Sequence, residues 1–420
     1  MDNVRFMEEF SSFVSNKEPI DLSKSLLNED DGIWLFKSDS HTGVAAFDEE
    51  LRVLPLISEF LSYNLRNNKI SPHTAKTYAK NLIYFLAYLK KRPEFEGTLL
   101  DEAYLTVSKH VIEEYLAELK NIHNLTSATI RNRDATLQAF IHKFLYQNQE
   151  LRDAYIEKSP YSGGLISGPV KQKLVISCSI DELTTLMMQS NSERERLILQ
   201  FIFDSGIRRS ELQNVTRQDI TNAWEFNSQK LISRNSDEPT ISPYAPLSIE
   251  GVKGRHNNKK QRMTLVSRAT LGRISRYHSS PLYKKYARKY PSSHETPAFF
   301  NAQGGSITPK CLSKLLKRVS ERAINRELIS KHMSPHKLRH GFAYDLLQSS
   351  DIGKSYVDRL AVVQKSLGHA FLSSTEIYTK IPLELYKTIT DSDGELITKA
   401  ERMERLVERT QLKISIKDKK

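Results

Sequence analysis

Apolar residues recur along most of this chain at the three-and-four spacing of helices. From Leu54 to about Tyr146 that period holds, and Leu56, Phe60 and Tyr63 fall on one helix face. Ser71-Pro72 opens a further helix, with serine placed to cap and proline suited to the first helical position. Its apolar side runs through Tyr78, Leu82, Phe85 and Leu89. Val111 to Leu119 and Ser127 to Tyr146 complete a bundle of about four helices. Gly, Pro and Ser then crowd residues 158–174, beginning Lys158-Ser159-Pro160-Tyr161-Ser162-Gly163-Gly164, so this stretch reads as a linker and hinge. Ser179-Ile180-Asp181-Glu182 is a capping-box signature, which starts a helix and with it a second domain. Glu193 to Ser205 turns Leu197, Ile198, Phe201 and Ile202 inward. Between 221 and 268 the pattern becomes strand-like, with strands expected over Glu225–Ile232 and Gln261–Val266. Helices return after Ser306-Ile307-Thr308-Pro309 and persist to Tyr378, and 384–420 reads as one more helix with a lysine-rich end.

Charge changes this picture of a helical protein. The 420 residues suffice for two or three domains. The chain carries +12, yet residues 1–50 hold 4 Lys/Arg and 12 Asp/Glu, so residues 51–420 carry +20. A basic body of that size fits a phosphate backbone, where each neutralised phosphate releases counterions. Residues 1–50 form an acidic extension, with a short apolar run from Ile33 to Phe36 that could make one strand. Its charge disfavours a DNA-binding arm and suits an adaptor toward an accessory protein. Cys178 and Cys311 have no metal-ligand spacing, which fits a reducing cytoplasm. No apolar run reaches membrane-spanning length, and the first residues do not read as a signal peptide, so a cytoplasmic, nucleoid-associated protein is expected.

The candidate chemistry is phosphodiester cleavage without metal. That reaction needs an in-line nucleophile, an acid for the leaving oxygen and positive donors around the equatorial oxygens. Tyr378 can attack phosphorus, and Arg208, Arg339, His336 and His369 can hold the charge that develops. A guanidinium presents a planar fork to two phosphate oxygens. Glu211 lies three residues after Arg208 and can brace it. His332, His336 and His340 are spaced by four, but Pro335 interrupts that face and no Glu sits among them, which argues against zinc. Gly163, Gly164 and Gly168 lack the Gly-Lys-Ser/Thr ending of a phosphate loop, so no nucleotide cofactor is expected. Arg131 and Arg133, near a helix start, could lie against DNA backbone or on a solvated face.

Three segments carry the strongest signal in combination: Gly206-Ile207-Arg208-Arg209-Ser210-Glu211-Leu212, Ser334-Pro335-His336-Lys337-Leu338-Arg339-His340, and Leu367-Gly368-His369 followed nine residues later by Tyr378. In order, spacing and flanking residues they resemble the tyrosine recombinase (phage integrase) family, and the resemblance covers roughly 54–385. It implies a mainly α (α+β) fold: a helical core-binding domain over 51–157, the linker 158–174, and a mostly helical catalytic domain over 175–420 with a small antiparallel β-sheet. It singles out Arg208 over Arg209 and makes Tyr378 the nucleophile of a 3′-phosphotyrosine intermediate. It places a general-acid lysine on a hairpin turn. In Val252-Lys253-Gly254-Arg255-His256-Asn257-Asn258-Lys259-Lys260-Gln261-Arg262 the best match is Lys253, with Lys259 or Lys260 as substitutes, and Arg255, Lys259 and Lys260 are candidate phosphate contacts.

The implied partner is double-stranded DNA, held by four protomers on two sites, with no cofactor or metal and with the C-terminal tail docked on a neighbouring protomer. The implied task is site-specific recombination, such as integration or excision of a mobile element. The same chemistry would serve a type IB topoisomerase or telomere resolvase. A DNA-binding regulator with a silent site is a third reading.

Overall fold

In the computed structural model, the described residues are 44–48, 51–147, 154–161, 163–169, 175–228, 230–232, 239–251, 261–353, 355–368 and 397–412. They divide into two compact units, at residues 172/173.

The first unit is built from α1 (Pro55–Arg66), α2 (Pro72–Leu89), α3 (Lys109–Asn121) and α4 (Ser127–Leu137), the last continuing as a π-helical segment over Gln138–Tyr146. Local chemistry starts each helix where the sequence suggests. Ser71 accepts a hydrogen bond from Thr74 N with Pro72 in the first turn, and Ser108 and Thr126 cap α3 and α4 in the same way. The apolar faces meet in an aromatic core. Phe60 packs edge-on against Phe140 and Phe144, and Phe85 contacts Tyr104 and Tyr115. Residues 44–48 already belong to this unit, because Ala46 is buried and its carbonyl accepts Leu54 N. The expected boundary at residue 50 therefore falls too late, while the expected strand Ile33–Phe36 lies outside the described residues.

The described part of the segment 158–174, expected as a linker and hinge, is bonded to the first unit. Buried Asp134 on α4 accepts Ser167 N and Ser167 Oγ, both at 2.6 Å, and the hydroxyl of buried Tyr161 at 2.9 Å. His142 Nδ1 lies 2.8 Å from Ser159 Oγ. Composition pointed to a linker, and its described part is anchored to the first unit, because a buried carboxylate requires donors and this segment supplies them.

The second unit contains α5 (Ile180–Met188), α6 (Glu193–Ser205), α7 (Arg217–Ser228), β1 (Lys230–Ile232), β2 (Pro239–Ile241), β3 (Tyr244–Glu250), β4 (Gln261–Ser267), α8 (Arg268–His278), α9 (Pro281–Ala287), α10 (Pro309–Asn325), α11 (Pro335–Gln348), α12 (Tyr356–Leu367) and α13 (Lys399–Thr410). The Ser179 capping box opens α5. Two antiparallel ladders, β1–β2 and β3–β4, are the sheets among the described residues; in the second, Ile249 pairs with Arg262. Helix α6 is buried from Glu195 through Ser205, so the polar residues along it need partners inside the unit. Gln200 bonds Thr270 and Arg273, and Asp204 accepts Ser267 N and Ser267 Oγ.

The strand expected over Glu225–Ile232 is cut to Lys230–Ile232, because helix α7 runs through Ser228. Ile220 and Ala223, three apart, are buried and hold a helical face, whereas Phe226 is exposed. The tail helix α13 packs into its own unit. Lys399, fully buried, pairs with Asp204, and Arg402 Nε meets Asp345 at 2.7 Å. The described tail is therefore core in its own chain, where docking on a neighbour was expected.

Candidate active site

The arginine of the first segment stands at the end of the buried helix α6. Gly206 stops that helix in the left-handed conformation, φ 59°, and a Cβ there would lie 2.2 Å from the Phe342 ring, so only glycine fits. The chain turns sharply and presents Arg208 with its side chain 35% exposed. Glu211, 1% exposed, holds it twice: Oε2 accepts Arg208 N at 2.8 Å and Oε1 accepts Nη1 at 2.7 Å.

The second segment lies on α11, capped by Ser334 and led by Pro335. Spacing of three puts His336 and Arg339 on neighbouring turns, with His336 exposed and Arg339 buried. Arg339 donates through Nη1 to the Gly206 carbonyl and through Nη2 to the Leu367 carbonyl, the latter at 2.5 Å. The same Leu367 oxygen accepts Arg208 Nη2 at 3.1 Å. Leu367 is the last residue of α12, and Gly368 caps it with φ 63°. One carbonyl thus gathers the first two segments at the root of the third.

A residue that the sequence reading left without a role completes the arrangement. Arg262 on β4 reaches Glu211 through Nη2 at 2.7 Å and donates through Nη1 to the Ser366 carbonyl. The signal was available. Arg262 shares strand parity with buried Thr264 and Val266, so it faces inward and needs a buried counter-charge.

Electrostatics follow the geometry. Burial raises the pKa of Glu211, but hydrogen bonds and charge from Arg262, then Arg208, outweigh it and bring the value down to about 2. For His336, desolvation by the surrounding protein and the charges of Arg339, Arg208 and Arg209 all lower the pKa, so the imidazole is neutral at neutral pH. The site is a concentration of guanidinium charge around one buried carboxylate, and it suits an anion with several oxygens.

Of the predicted site residues, Arg208, Glu211, His336 and Arg339 are brought together here. Lys253, Arg255, Lys259, Lys260, His369 and Tyr378 lie outside the described residues. The strands flanking the lysine-bearing stretch, β3 and β4, are described, as is Gly368, which precedes His369. Arg131 and Arg133 have partners within the first unit. Arg131 Nη1 donates to the Ser167 and Gly168 carbonyls at 2.9 and 3.0 Å, and Arg133 Nη1 donates to the Tyr115 hydroxyl at 2.9 Å while its guanidinium stacks on Tyr84.

Helical units of this kind, the second centred on paired arginines and a histidine, define the tyrosine recombinase class. Residues 178–383 match the phage integrase family, and 57–149 match the phage integrase N-terminal SAM-like domain. The chain belongs to the phage integrase family. It is 26% identical over 342 residues to tyrosine recombinase XerC of Syntrophus aciditrophicus (strain SB), covering 80% of this chain and 96% of that one. To the XerC of Alcanivorax borkumensis it is 26% identical over 363 residues, covering 84% and 95%. Among solved structures, the Tn1549 transposon integrase in complex with transposon right end DNA shares the fold, with TM-score 0.53, 15% identity and coverage of 79% and 97%. So does the XerH recombinase bound to its difH substrate after cleavage, with TM-score 0.52, 20% identity and coverage of 75% and 78%.

Proposed function

We propose that this chain is a site-specific DNA recombinase that cuts and rejoins double-stranded DNA through a 3′-phosphotyrosine. The observation that carries this reading is the shared Leu367 carbonyl, where Arg208 and Arg339 converge one residue before Gly368-His369. The phenolic oxygen of Tyr378 attacks phosphorus in line as the bond to the 5′ oxygen breaks. Arg208, Arg339 and His369 stabilise the charge on the equatorial oxygens. Neutral His336 takes the phenol's proton, and Lys253 gives one to the departing 5′ oxygen. A 5′ hydroxyl from a partner strand then attacks the phosphotyrosyl bond and releases Tyr378. Bond energy is kept in the covalent link, so the reaction needs no external energy source.

Four protomers on two DNA sites would carry out the exchange, and the acidic extension would meet an accessory protein. Arg255, Lys259 and Lys260 would contact phosphates near the lysine turn. Arg131 and Arg133 would serve the first unit's DNA face with the donors that their internal bonds leave over. Relatives carrying recombinase names support strand exchange over relaxation of supercoils, and a transposon integrase of like fold supports a mobile-element task.

The test is covalent capture. DNA that stays attached to the protein in cells is sequenced, and a nicked duplex of that sequence is offered to the purified chain. Wild type should form a protein–DNA adduct, and Tyr378→Phe should bind the duplex without forming one. An adduct in that mutant, or supercoil relaxation without any preferred site, would overturn the reading.

A further inference from the structure

Arg262 supports the paired Arg208 and Arg339 from two directions. On one side its Nη2 meets Glu211 Oε2 at 2.7 Å and its Nε lies 3.5 Å from Oε1, while the same carboxylate grips Arg208 through Nη1 and the backbone amide. On the other side its Nη1 donates to the Ser366 carbonyl. Ser366 precedes Leu367, whose own carbonyl takes Arg208 and Arg339. The aliphatic stem of Arg262 also lies beneath the turn. A Cβ at Gly368 would sit 2.6 Å from Arg262 Cδ, so this residue sets how closely the end of α12 approaches β4. The side chain is 8% exposed, and its three nitrogens are all engaged by Glu211 and Ser366.

We propose that Arg262 is a positioning residue for the strand-cleavage step: it divides the charge of Glu211 between two guanidinium groups and fixes the Ser366–Leu367 carbonyls on which Arg208 and Arg339 hang. The inference rests on the recombinase reading and extends it to a side chain that never touches DNA.

Sharing is the core of the argument. A buried carboxylate with one guanidinium neighbour holds it tightly, because the pair has no other source of neutrality. With Arg262 present, Glu211 is already neutralised from beneath, and Arg208 can turn part of its fork to phosphate oxygens. Without Arg262, Glu211 competes with the substrate phosphate for Arg208. The Ser366 carbonyl loses its donor as well, and the Leu367 oxygen loses its fixed place. Lysine at 262 would keep the charge but has no planar fork to bridge a carboxylate and a carbonyl at once.

The nicked duplex described above, with single-turnover adduct formation as readout, tests this. Arg262→Met should bind the duplex within about threefold of wild type and form adduct at least about a hundredfold more slowly, as for one lost transition-state donor. Arg262→Lys should recover part of that rate. In a Glu211→Gln background, Arg262→Met should cost far less than it does alone, because the carboxylate that it neutralises is gone. A loss confined to binding, a wild-type rate in Arg262→Met, or equal losses in both backgrounds would overturn the assignment. Thermal melts accompany each variant, and if Arg262→Met fails to fold, Arg262→Lys alone decides, with a wild-type rate refuting the role. Absence of adduct in wild type would instead strike the recombinase reading itself.

Discussion

Arg208 and Arg339 share one acceptor, the carbonyl oxygen of Leu367, at 3.1 and 2.5 Å. Residues remote in sequence meet at a helix terminus, where carbonyls lack intrahelical partners and accept outside donors. The shared carbonyl draws the two guanidinium groups together, while Glu211 also holds Arg208. It also makes Arg339 a structural residue. Buried among backbone carbonyls, it ties α6, α11 and α12 together.

Arg339→Ala should therefore fail twice. Loss of one transition-state donor should slow adduct formation by ~3 kcal/mol or more. The buried Gly206 carbonyl would also lose its donor, at about 1–3 kcal/mol, whereas the Leu367 carbonyl keeps Arg208. Single-turnover capture measures the first and urea unfolding the second. Unchanged stability with full activity would show that the buried contacts are not formed in solution.

Glu211 should make stability depend on acid. Its folded pKa of about 2 lies below the ordinary 4.5, so the unfolded chain binds the proton more readily. The contribution is complete above the unfolded value and disappears as pH falls through the folded one. Glu211→Gln should flatten the pH dependence of unfolding free energy in that window. It should also lower stability at neutral pH, because Arg262 would be left buried without its carboxylate. Urea melts at stepped pH, wild type against variant, provide the check, and identical slopes would contradict the pairing.

His336 has a lowered pKa, so its neutral form persists below the ordinary histidine value of about 6.5. If this imidazole accepts the proton of Tyr378, adduct formation should hold level as pH drops through that value and decline only at more acid pH. A pH–rate profile of capture tests this. A decline already complete at pH 6.5 would assign the titration to another group.

Lys399 pairs with Asp204 in a fully buried setting, and Ser349 Oγ accepts Lys399 N at 2.7 Å. Lys399→Met should cost ~3–5 kcal/mol, because Asp204 would be buried without its cation. The loss in Lys399→Met/Asp204→Asn should be smaller than the sum of the single losses. Hydrogen exchange in α13 should rise with the single substitution. Native protection there would place the tail helix outside the core.

The sequence by itself determined the helical character of both units, the starts of α2 and α5, and the identities of Arg208, Glu211, His336 and Arg339 as candidates. Caps, proline positions and three-and-four spacing act over one or two turns, and local reading reaches that far. What it could not decide depended on contacts between distant residues. The Glu225–Phe226 stretch is helical because Ile220 and Ala223 are buried on one face of α7. The Gly/Pro/Ser stretch is fixed where Asp134, already buried, draws Ser167 and Tyr161 to it. Only the tertiary structure placed Arg262 beneath Glu211 and gathered two arginines on the Leu367 carbonyl. A buried charge is tolerable only beside its counter-charge, and folding alone selects which one that is.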